Sequence, residues 1–393
     1  MSTEYQSVNS NGHHRSIRLL QIVESLNTGA VENWLYRMFA AAATSHPQYH
    51  WTFFCTLGRP GRLDERVRQL GGEIIYSPCE LGRKRTFFSN LRRVIREGNY
   101  EVLHSHHDFV SAVYLCASLG TSIRKRIVHV HNTDEGLPTP SAVKRRLLKE
   151  PMRQACIRLA DNVVGISNEV LAKFSGKTSI RPARDRVIYY GVDTSPFRQS
   201  VCTREQFRLS LGVSSDAKIV LFIGRMIELK NPVFVIEVLS RLLEINSNAV
   251  AVFAGAGPLE SNVRELACQY NIGSKVKVLG WRDDTATLMR LSDALIFPRL
   301  EEPKEGLGLV LVEAQAAGLP IVASASITED VKVFPELFET VPLAAGADVW
   351  AEAVAIRLSA PRPNHEDFLK GIDSSRFGLD QSLSSLMALY EGR

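Results

Sequence analysis

Short apolar segments alternate with amphipathic ones along the first half of the chain. Strand-like runs occur at IRLLQIV (17–23), YHWTFFCTL (49–57), EIIYSP (73–78) and EVLHSH (101–106), and a segment with helical spacing follows each of them, the first at 30–45. Strands that alternate with helices of this length are typical of a parallel sheet covered on both faces. This half therefore predicts an α/β domain.

The pattern pauses at VIYYGVDTSPF (187–197) and then starts again. The second series comprises the strands KIVLFIGRM (218–226) and AVAVFAG (249–255), helices at 232–244 and 258–270, and the strand ALIFP (294–298). We interpret the chain as two doubly wound, Rossmann-like α/β domains, 17–196 and 197–375, after a disordered leader at 1–16. In such domains ligands bind beyond the carboxyl ends of the strands, here in a cleft between the two domains.

Length and composition agree with this organisation. The chain has 393 residues, of which 45% are hydrophobic and 23% charged, which suits a globular protein of two domains. Six scattered cysteines without a CxxC pair indicate reduced thiols in the cytosol. No apolar run is long enough to span a bilayer, and the polar amino terminus lacks a secretory core. We therefore expect a cytoplasmic protein.

Charge is distributed unevenly. Residues 1–196 contain 27 Lys and Arg against 17 Asp and Glu, and residues 197–393 contain 20 against 25. Two interpretations stay open for the basic half: a solvated surface, or a site for an anionic partner such as a lipid surface or a phosphate-bearing acceptor. Nucleic acid is not expected, because aromatic residues are not interleaved with the basic clusters. The clusters are Arg83-Lys84-Arg85, Arg92-Arg93, Arg124-Lys125-Arg126 and Lys144-Arg145-Arg146.

The segment EEPKEGLGLVLVEAQAAGLPIVAS (301–324) contains the first candidate site. Its spacing predicts a helix from Leu307 to Ala317, with Glu305 just ahead of it and Glu313 about two turns inside. A carboxylate in so apolar a segment needs a hydrogen-bond partner, which is supplied either by a ligand or by the protein. Vicinal hydroxyls of a ribose or hexose suit a carboxylate. The alternative is that Glu305 caps the helix and Glu313 pairs with a buried arginine.

A second candidate lies in FIGRMIELKNP (222–232), where Arg225 and Lys230 follow a strand. Two cations at a strand end can neutralise a departing diphosphate without a metal ion. The chain contains no D-x-D sequence, the usual carboxylate pair that holds a nucleotide-bound metal. We therefore expect no metal and no further cofactor.

Other motifs are weaker. The loop SLNTGAVENW (25–34) offers Gly29 for backbone contact but matches neither the Walker nor the G-x-G-x-x-G pattern, and FAGAGPLE (253–260) lacks the third glycine. A nicotinamide enzyme is therefore not favoured. Histidines at two strand ends are expected to line a polar pocket rather than to bind a metal, because no suitably spaced carboxylate or thiolate completes a ligand set. They are His104, His106, His107, His129 and His131.

Together, the ordered segments LNTGAVE, VLHSHH, GRMIELKN, FAGAGPL, LGW and EEPKEGLGLVLVEAQAAGLP resemble the family-4 retaining glycosyltransferases with the GT-B fold, from about residue 17 to the last helix. The resemblance implies that a UDP- or GDP-sugar is the donor, that the first domain binds the acceptor, and that the last segment, 376–393, crosses back to that domain. It implies these contacts: Glu313 with the ribose, Glu305 and the amides of Gly306 and Leu307 with the transferred sugar, Arg225 and Lys230 with the diphosphate, Gly29 near the β-phosphate, and His106, with His107 beside it, on the donor sugar.

Departures from the family pattern refine this picture. The charged loop RLEEPKEG makes Glu302 a rival to Glu305, although the eight-residue spacing to Glu313 favours Glu305. The segment SASITEDV (324–331) resembles bacterial exopolysaccharide and capsule transferases, which implies a lipid-linked or saccharide acceptor and a peripheral place at the inner face of the membrane. Two other hypotheses stay open: a sugar-nucleotide epimerase or phosphorylase of the same fold, and an inactive nucleotide-sugar-binding scaffold.

Overall fold

A computed structural model of the chain describes residues 16–27, 29–132, 142–176, 183–199, 202–360 and 364–392. Apart from Ser16, the expected leader lies outside these residues, and so do the side chains of the cluster Lys144-Arg145-Arg146. The chain divides into two compact units. Unit 1 comprises Met1–Gly191 with Asp380–Arg393, and unit 2 comprises Val192–Leu379.

Unit 1 is built on a parallel sheet of seven strands in the order β3-β2-β1-β4-β5-β6-β7. The chain runs outwards from β1 to β3 and then returns to the other side of β1, so the strand order reverses between β1 and β4. The elements are β1 Ile17–Val23, α1 Ala30–Ser45, β2 Tyr49–Cys55, α2 Asp64–Gln69, β3 Glu73–Tyr76, α3 Lys84–Gly98, β4 Val102–Ser105, α4 Ser111–Ala117, β5 Lys125–Val130, α5 Ala142–Leu159, β6 Asn162–Gly165, α6 Asn168–Ser175 and β7 Asp185–Val187.

Unit 2 has a parallel sheet of six strands in the order β10-β9-β8-β11-β12-β13, and its reversal lies between β8 and β11. Val220, Phe222, Phe253 and Ile296 lie in its core. The elements are α7 Ser195–Arg198, α8 Arg204–Ser210, β8 Lys218–Ile223, α9 Pro232–Ile245, β9 Ala249–Ala254, α10 Glu260–Gln269, β10 Val276–Val278, α11 Thr285–Leu291, β11 Ala294–Phe297, α12 Leu309–Ala316, β12 Ile321–Ala323, β13 Phe338–Thr340, α13 Gly346–Ser359 and α14 His365–Ser374.

The last helix, α15 Leu379–Glu391, packs within unit 1. It buries Leu386 and Tyr390, and its Ser382 hydroxyl accepts a hydrogen bond of 3.0 Å from the indole of Trp34 in α1. Trp34 lies on the apolar face of α1, which the sequence spacing predicts. The final segment therefore contributes to the core of the unit that contains the start of the chain.

The α/β fold class predicted from the sequence is confirmed, with two parallel sheets and helices between their strands. The division of the chain falls at Gly191–Val192, five residues before the boundary that the sequence suggested. Within the described part of the chain, no helix has the length and apolar character needed to cross a lipid bilayer.

Candidate active site

In unit 2 the charged candidates gather where the strand order reverses. Arg225 and Lys230 follow β8, whereas Arg299 and Glu305 follow its parallel neighbour β11. The carboxyl ends of these two strands meet at one edge of the sheet, the usual ligand-binding position of doubly wound folds. The topology therefore brings two separate loops of the sequence to one place.

Glu305 is held by two cations from these loops. The Lys230 ammonium donates a hydrogen bond of 2.6 Å to Glu305 Oε2, and Arg299 Nε lies 2.6 Å from the same oxygen as an ion pair without hydrogen-bond alignment. Arg299 is buried, and its guanidinium also donates to the carbonyl of Leu300 at 2.8 Å and to that of Pro303. The partner that a carboxylate in this segment requires is thus supplied by the protein itself.

Burial and charge oppose each other at this cluster. Burial lowers the pKa of Lys230, and the adjacent Glu305 carboxylate limits that fall. Burial also disfavours ionisation of Glu305, but Lys230 and Arg299 outweigh it, so the pKa of Glu305 lies below its usual value. Two basic side chains against one carboxyl group give the cluster a formal excess of positive charge.

Arg225 is the exposed member of the group. It makes no side-chain hydrogen bond or ion pair with the described residues, yet its charge contributes to lowering the pKa of Lys230. Arg225, Lys230, Glu305 and Glu313 all belong to unit 2, and Lys230 contacts Glu305 directly.

The helix after Glu305 begins later than predicted. α12 starts at Leu309 rather than Leu307, because Gly308 adopts a left-handed conformation (φ +74°) at its N-cap. Leu307 is buried, whereas Glu313 is half-buried and lies about one turn into the helix. Gly306 lies in the loop between Glu305 and that cap.

Glu302, the rival of Glu305, is exposed three residues upstream. No hydrogen bond or ion pair of the Glu302 side chain is present among the described residues. Glu305 is therefore the glutamate of this loop that the cations hold.

Two glycines of the FAGAG segment fix the backbone next to Arg225. A Cβ on Gly257 would lie 2.4 Å from the carbonyl oxygen of Met226, and Gly255 approaches the carbonyl of Gly224 in the same way. The two loops are joined by a hydrogen bond of 3.0 Å from the amide of Met226 to Ala256. These glycines therefore serve loop-to-loop packing in unit 2.

Substituting Gly257 by alanine should lower the free energy of unfolding by about 1–3 kcal/mol, because the added methyl group displaces backbone. Urea unfolding measures the effect. Gly273→Ala is the matched control, since its Cβ would meet only the Cys268 sulfur at 3.9 Å. Equal effects of the two substitutions would contradict the packing role of Gly257.

Unit 1 contains a pocket at its own strand reversal. It has a volume of about 560 Å³ and is lined by residues that follow β1, β4 and β5. Asp108, in the loop after β4, accepts hydrogen bonds from the amide of His131 (2.9 Å) and the side chain of Asn132 (3.2 Å). Burial raises the pKa of Asp108 to about 6 despite these bonds.

His106 and His107 both line this pocket but differ in what they can offer a ligand. Both ring nitrogens of His106 have protein partners: Nδ1 lies 3.0 Å from His131 Nε2 and Nε2 lies 3.1 Å from Gln21 Oε1. His107 uses only Nδ1, which lies 2.7 Å from the Tyr114 hydroxyl, and its Nε2 has no partner among the described residues. His107 is thus the imidazole with a polar atom to spare.

The histidines behind the pocket form a buried network. His104 Nε2 lies 3.2 Å from His129 Nδ1, and Tyr390 of α15 contacts His104 (2.9 Å) and Gln21 (2.7 Å). Burial lowers the pKa of His104, His106, His129 and His131 well below the usual value, so all four are neutral. The histidines meet because β4 pairs with β5, a pairing that spacing along the sequence does not report.

Three of these histidines also satisfy a distance criterion for metal ligands. Ring nitrogens of His104, His106 and His129 lie within 4.8 Å of one another. His104 Nε2 and His129 Nδ1 also lie at a hydrogen-bond distance of 3.2 Å, between nearly parallel rings. The network holds the strand ends together and positions His106.

Gly29 lies at the amino-terminal end of α1. Its α-carbon is covered by the Glu32 carboxylate, with which a Cβ would collide. Burial raises the pKa of Glu32, and its own backbone amide and the nearby Glu24 modify that shift. A ligand that approaches Gly29 therefore meets a carboxyl group first.

Comparison with known proteins agrees with this architecture. The family model for glycosyl transferases group 1 matches residues 203–338, and that for Glycosyltransferase Family 4 matches residues 31–196. EpsF of Bacillus subtilis (strain 168), a glycosyltransferase by name, is 29% identical over 376 residues, covering 95% of this chain and 96% of EpsF. The D-inositol 3-phosphate glycosyltransferase of Mycolicibacterium paratuberculosis (strain ATCC BAA-968 / K-10) is 27% identical over 306 residues, 75% of this chain and 67% of that protein.

Solved structures show the same fold. The crystal structure of Anabaena Alr3699/HepE in complex with UDP has a TM-score of 0.76 at 17% identity, covering 96% of this chain and all of that one. WaaG, a glycosyltransferase involved in lipopolysaccharide biosynthesis, has a TM-score of 0.73 at 16% identity, with coverage of 96% and 100%. The fold and the charged strand ends thus define a GT-B glycosyltransferase. Glycosyltransferase family models match both halves of the chain, in agreement with the resemblance found in its sequence.

Proposed function

We propose that this enzyme transfers a sugar from a UDP- or GDP-sugar to a hydroxyl of a lipid-linked or saccharide acceptor, with retention of anomeric configuration and without a metal ion. The observation that carries the proposal is the cluster of Lys230, Arg299 and Glu305 beside the exposed Arg225 in unit 2. Its excess positive charge suits a diphosphate that gains charge as it departs.

Each predicted residue keeps a role in this proposal. Arg225 and Lys230 bind the diphosphate, and the Glu305 carboxylate, fixed by Lys230 and Arg299, accepts hydrogen bonds from hydroxyls of the transferred sugar. Arg299 is a positioning residue, because it is buried behind Glu305. The remaining proposed contacts are Glu313 with the ribose, the amides of Gly306 and Leu307 with the sugar, Gly29 near the β-phosphate, and His106 and His107 on the donor-sugar side of unit 1.

The proposal extends to a biological setting. EpsF and WaaG, the latter involved in lipopolysaccharide biosynthesis, support a role in the synthesis of a cell-surface polysaccharide. We place the reaction in the cytoplasm, with the basic residues of unit 1 in peripheral contact with the inner face of the membrane. Such a contact requires no spanning helix.

A thermal-shift screen of UDP, GDP and ADP, each with and without its glucose conjugate, tests the donor class. A ligand that binds the native state at 100 times its Kd stabilises it by about 2.7 kcal/mol, so one base should raise the melting temperature clearly more than the others. Arg225→Met should reduce that shift, and Lys370→Met, an exposed lysine of unit 2, should not. If no nucleoside diphosphate binds, the proposal is wrong.

Product analysis then separates transfer from the other reactions of this fold. A transferase releases the nucleoside diphosphate at a rate that depends on an added acceptor, and the anomeric linkage of the product reports retention. An epimerase would change the sugar nucleotide without any acceptor. A scaffold would bind the nucleotide and release nothing, which would refute the proposed transfer.

A further inference from the structure

The pocket of unit 1 has an acidic lining although the unit is basic overall. Among its described lining residues, four carry carboxyl groups and none is a lysine or an arginine; the four are Glu24, Glu32, Glu80 and Asp108. Lys149, whose ammonium lies 5.7 Å from the ring centroid of Phe109 and which lowers the pKa of Asp108, does not line the pocket. An anionic group placed there would therefore meet charges of its own sign.

The pocket also offers hydrogen-bond groups that match hydroxyls. Among the described residues, the Tyr114 hydroxyl lies 2.7 Å from His107 Nδ1, and the tautomer of the ring decides which of the two atoms donates. Burial lowers the pKa of His107 to about 4, which keeps the ring neutral. The neutral His107 ring therefore adds no charge to the pocket, where carboxyl groups are the acceptors for hydroxyls.

Asp108 is the buried acceptor of this set. Each of its oxygens already accepts one hydrogen bond, from His131 or Asn132, and a carboxylate oxygen can accept a second. Its backbone has φ +43°, a sparsely populated conformation for a residue other than glycine. The fold holds this carboxyl group at the pocket wall with two hydrogen bonds.

Apolar side chains complete the lining. Val23, Val31, Phe109 and Val110 provide a surface for the C–H groups of a sugar ring, while Thr56 adds a hydroxyl. Apolar walls with a few oriented polar groups are the usual composition of small-molecule sites. The basic clusters identified in the sequence contribute none of the described lining residues.

We infer that this pocket binds the sugar end of the acceptor, and that this end is an uncharged saccharide rather than a phosphorylated or carboxylated one. The inference rests on the proposed function, to which it adds the chemical class of the acceptor. Hydroxyls of the saccharide donate to the Asp108 carboxylate, whereas the exposed Glu24 and Glu80 contribute negative charge at the pocket without contacting the saccharide. Any phosphate of a lipid carrier lies outside this pocket.

Equilibrium binding at pH 8, where Asp108 is ionised, provides the test. The probes are the 4-nitrophenyl glycosides of glucose, galactose and N-acetylglucosamine, together with the 6-phosphate and the hexuronide of each available sugar. Their binding to the full chain is measured by saturation-transfer NMR. At least one neutral hexoside should bind at least about tenfold more tightly than its anionic counterparts, because like charges are rejected in a recessed site. Equal or tighter binding of the phosphate, or binding of no hexoside, would overturn the inference.

Two exposed carboxylates at the pocket allow a charge test that spares the interior. In the double variant Glu24→Gln/Glu80→Gln, discrimination against the phosphate should fall to about threefold or less, with the neutral hexoside bound as before. The matched control, Glu65→Gln/Glu97→Gln, removes the same charge from exposed positions of unit 1 outside the pocket and should keep the discrimination. If both double variants lose the discrimination equally, the effect comes from the net charge of the whole protein, and the inference that the pocket rejects anionic sugars is wrong.

Nucleotide binding, measured by thermal shift on the same preparations, separates the two hypotheses. If a nucleoside diphosphate binds but the hexosides show no preference, the acceptor inference alone fails. If the hexosides show the preference but no nucleotide binds, the proposed transfer fails, and the pocket stays assigned to an uncharged saccharide.

Discussion

Turnover of the Lys230→Met variant is expected to fall by about 10²–10³-fold, the loss that follows removal of one group that stabilises charge in a transition state. Lys230 is the cation that hydrogen-bonds Glu305, and in the proposed reaction it binds the departing diphosphate. The loss should appear mainly in kcat, because the interaction strengthens as the leaving group departs. Steady-state kinetics with the donor selected by the nucleotide screen measure it.

The control for this variant is Lys370→Met, which removes the same charge from an exposed position in α14. It should leave kcat within about twofold, as is usual for surface substitutions away from a site. Because Lys230 also holds Glu305, Arg299→Lys gives a second comparison: it keeps the charge but not the planar group, and should raise KM for the donor more than it lowers kcat. Retention of more than a tenth of the wild-type kcat by Lys230→Met would refute its proposed role.

Much of the fold follows from hydrophobic periodicity. The predicted strand 17–23 and helix 30–45 coincide with β1 and α1, because their apolar residues face a single core. The predicted helix around Glu313 begins two residues too early, because Gly308 at its start adopts a left-handed rather than a helical conformation. Backbone conformation at a glycine depends on its surroundings, which periodicity does not report.

The sequence predicts which charged residues form the site, but not which of them pair with one another. Strand ends that carry Arg225, Lys230 and Glu305 could be located in the sequence, and parallel topology then brings them to one edge. The buried partner of Glu305 could not be identified from the sequence. Arg299 lies six residues away along the chain and looks like one more charged residue in a polar loop. The one available signal was its position directly after the apolar strand β11 and Pro298.

The histidines illustrate the same limit. Alternation along the sequence places His104 and His106 on one face. Which side chains contact them depends on the pairing of β4 with β5, which brings the histidines of β5, and on α15, which brings Tyr390. His107, which the resemblance treats as a secondary contact, has Nδ1 held by Tyr114 of α4, and its Nε2 has no partner among the described residues. Sequence spacing identifies which residues reach a pocket, whereas their hydrogen-bond partners decide which of them can bind.

Loss of the Asp293 carboxylate should destabilise unit 2 more than any other single change considered. Asp293 Oδ2 accepts hydrogen bonds of 2.7 Å from the guanidinium of Arg208 and from the amide of Ile219 at the start of β8, and Oδ1 accepts from Arg204. Arg208 is only 4% exposed, and burial lowers its pKa while Asp293 counteracts that shift. Removing the carboxylate would leave a buried cation without its counter-ion.

Asp293→Ala is therefore expected to lower the free energy of unfolding by about 3–5 kcal/mol, the cost of breaking a buried ion pair on one side. Urea unfolding measures this loss. Glu244→Ala is the control, because its pair with Arg241 is solvent-exposed on both sides and should contribute under about 1 kcal/mol. The variant Asp293→Leu/Arg208→Met should recover part of the loss, since it removes the unpaired charge as well. If Asp293→Ala costs no more than Glu244→Ala, the Arg208 charge must be compensated by its carbonyl contacts, and Asp293 does not stabilise the fold.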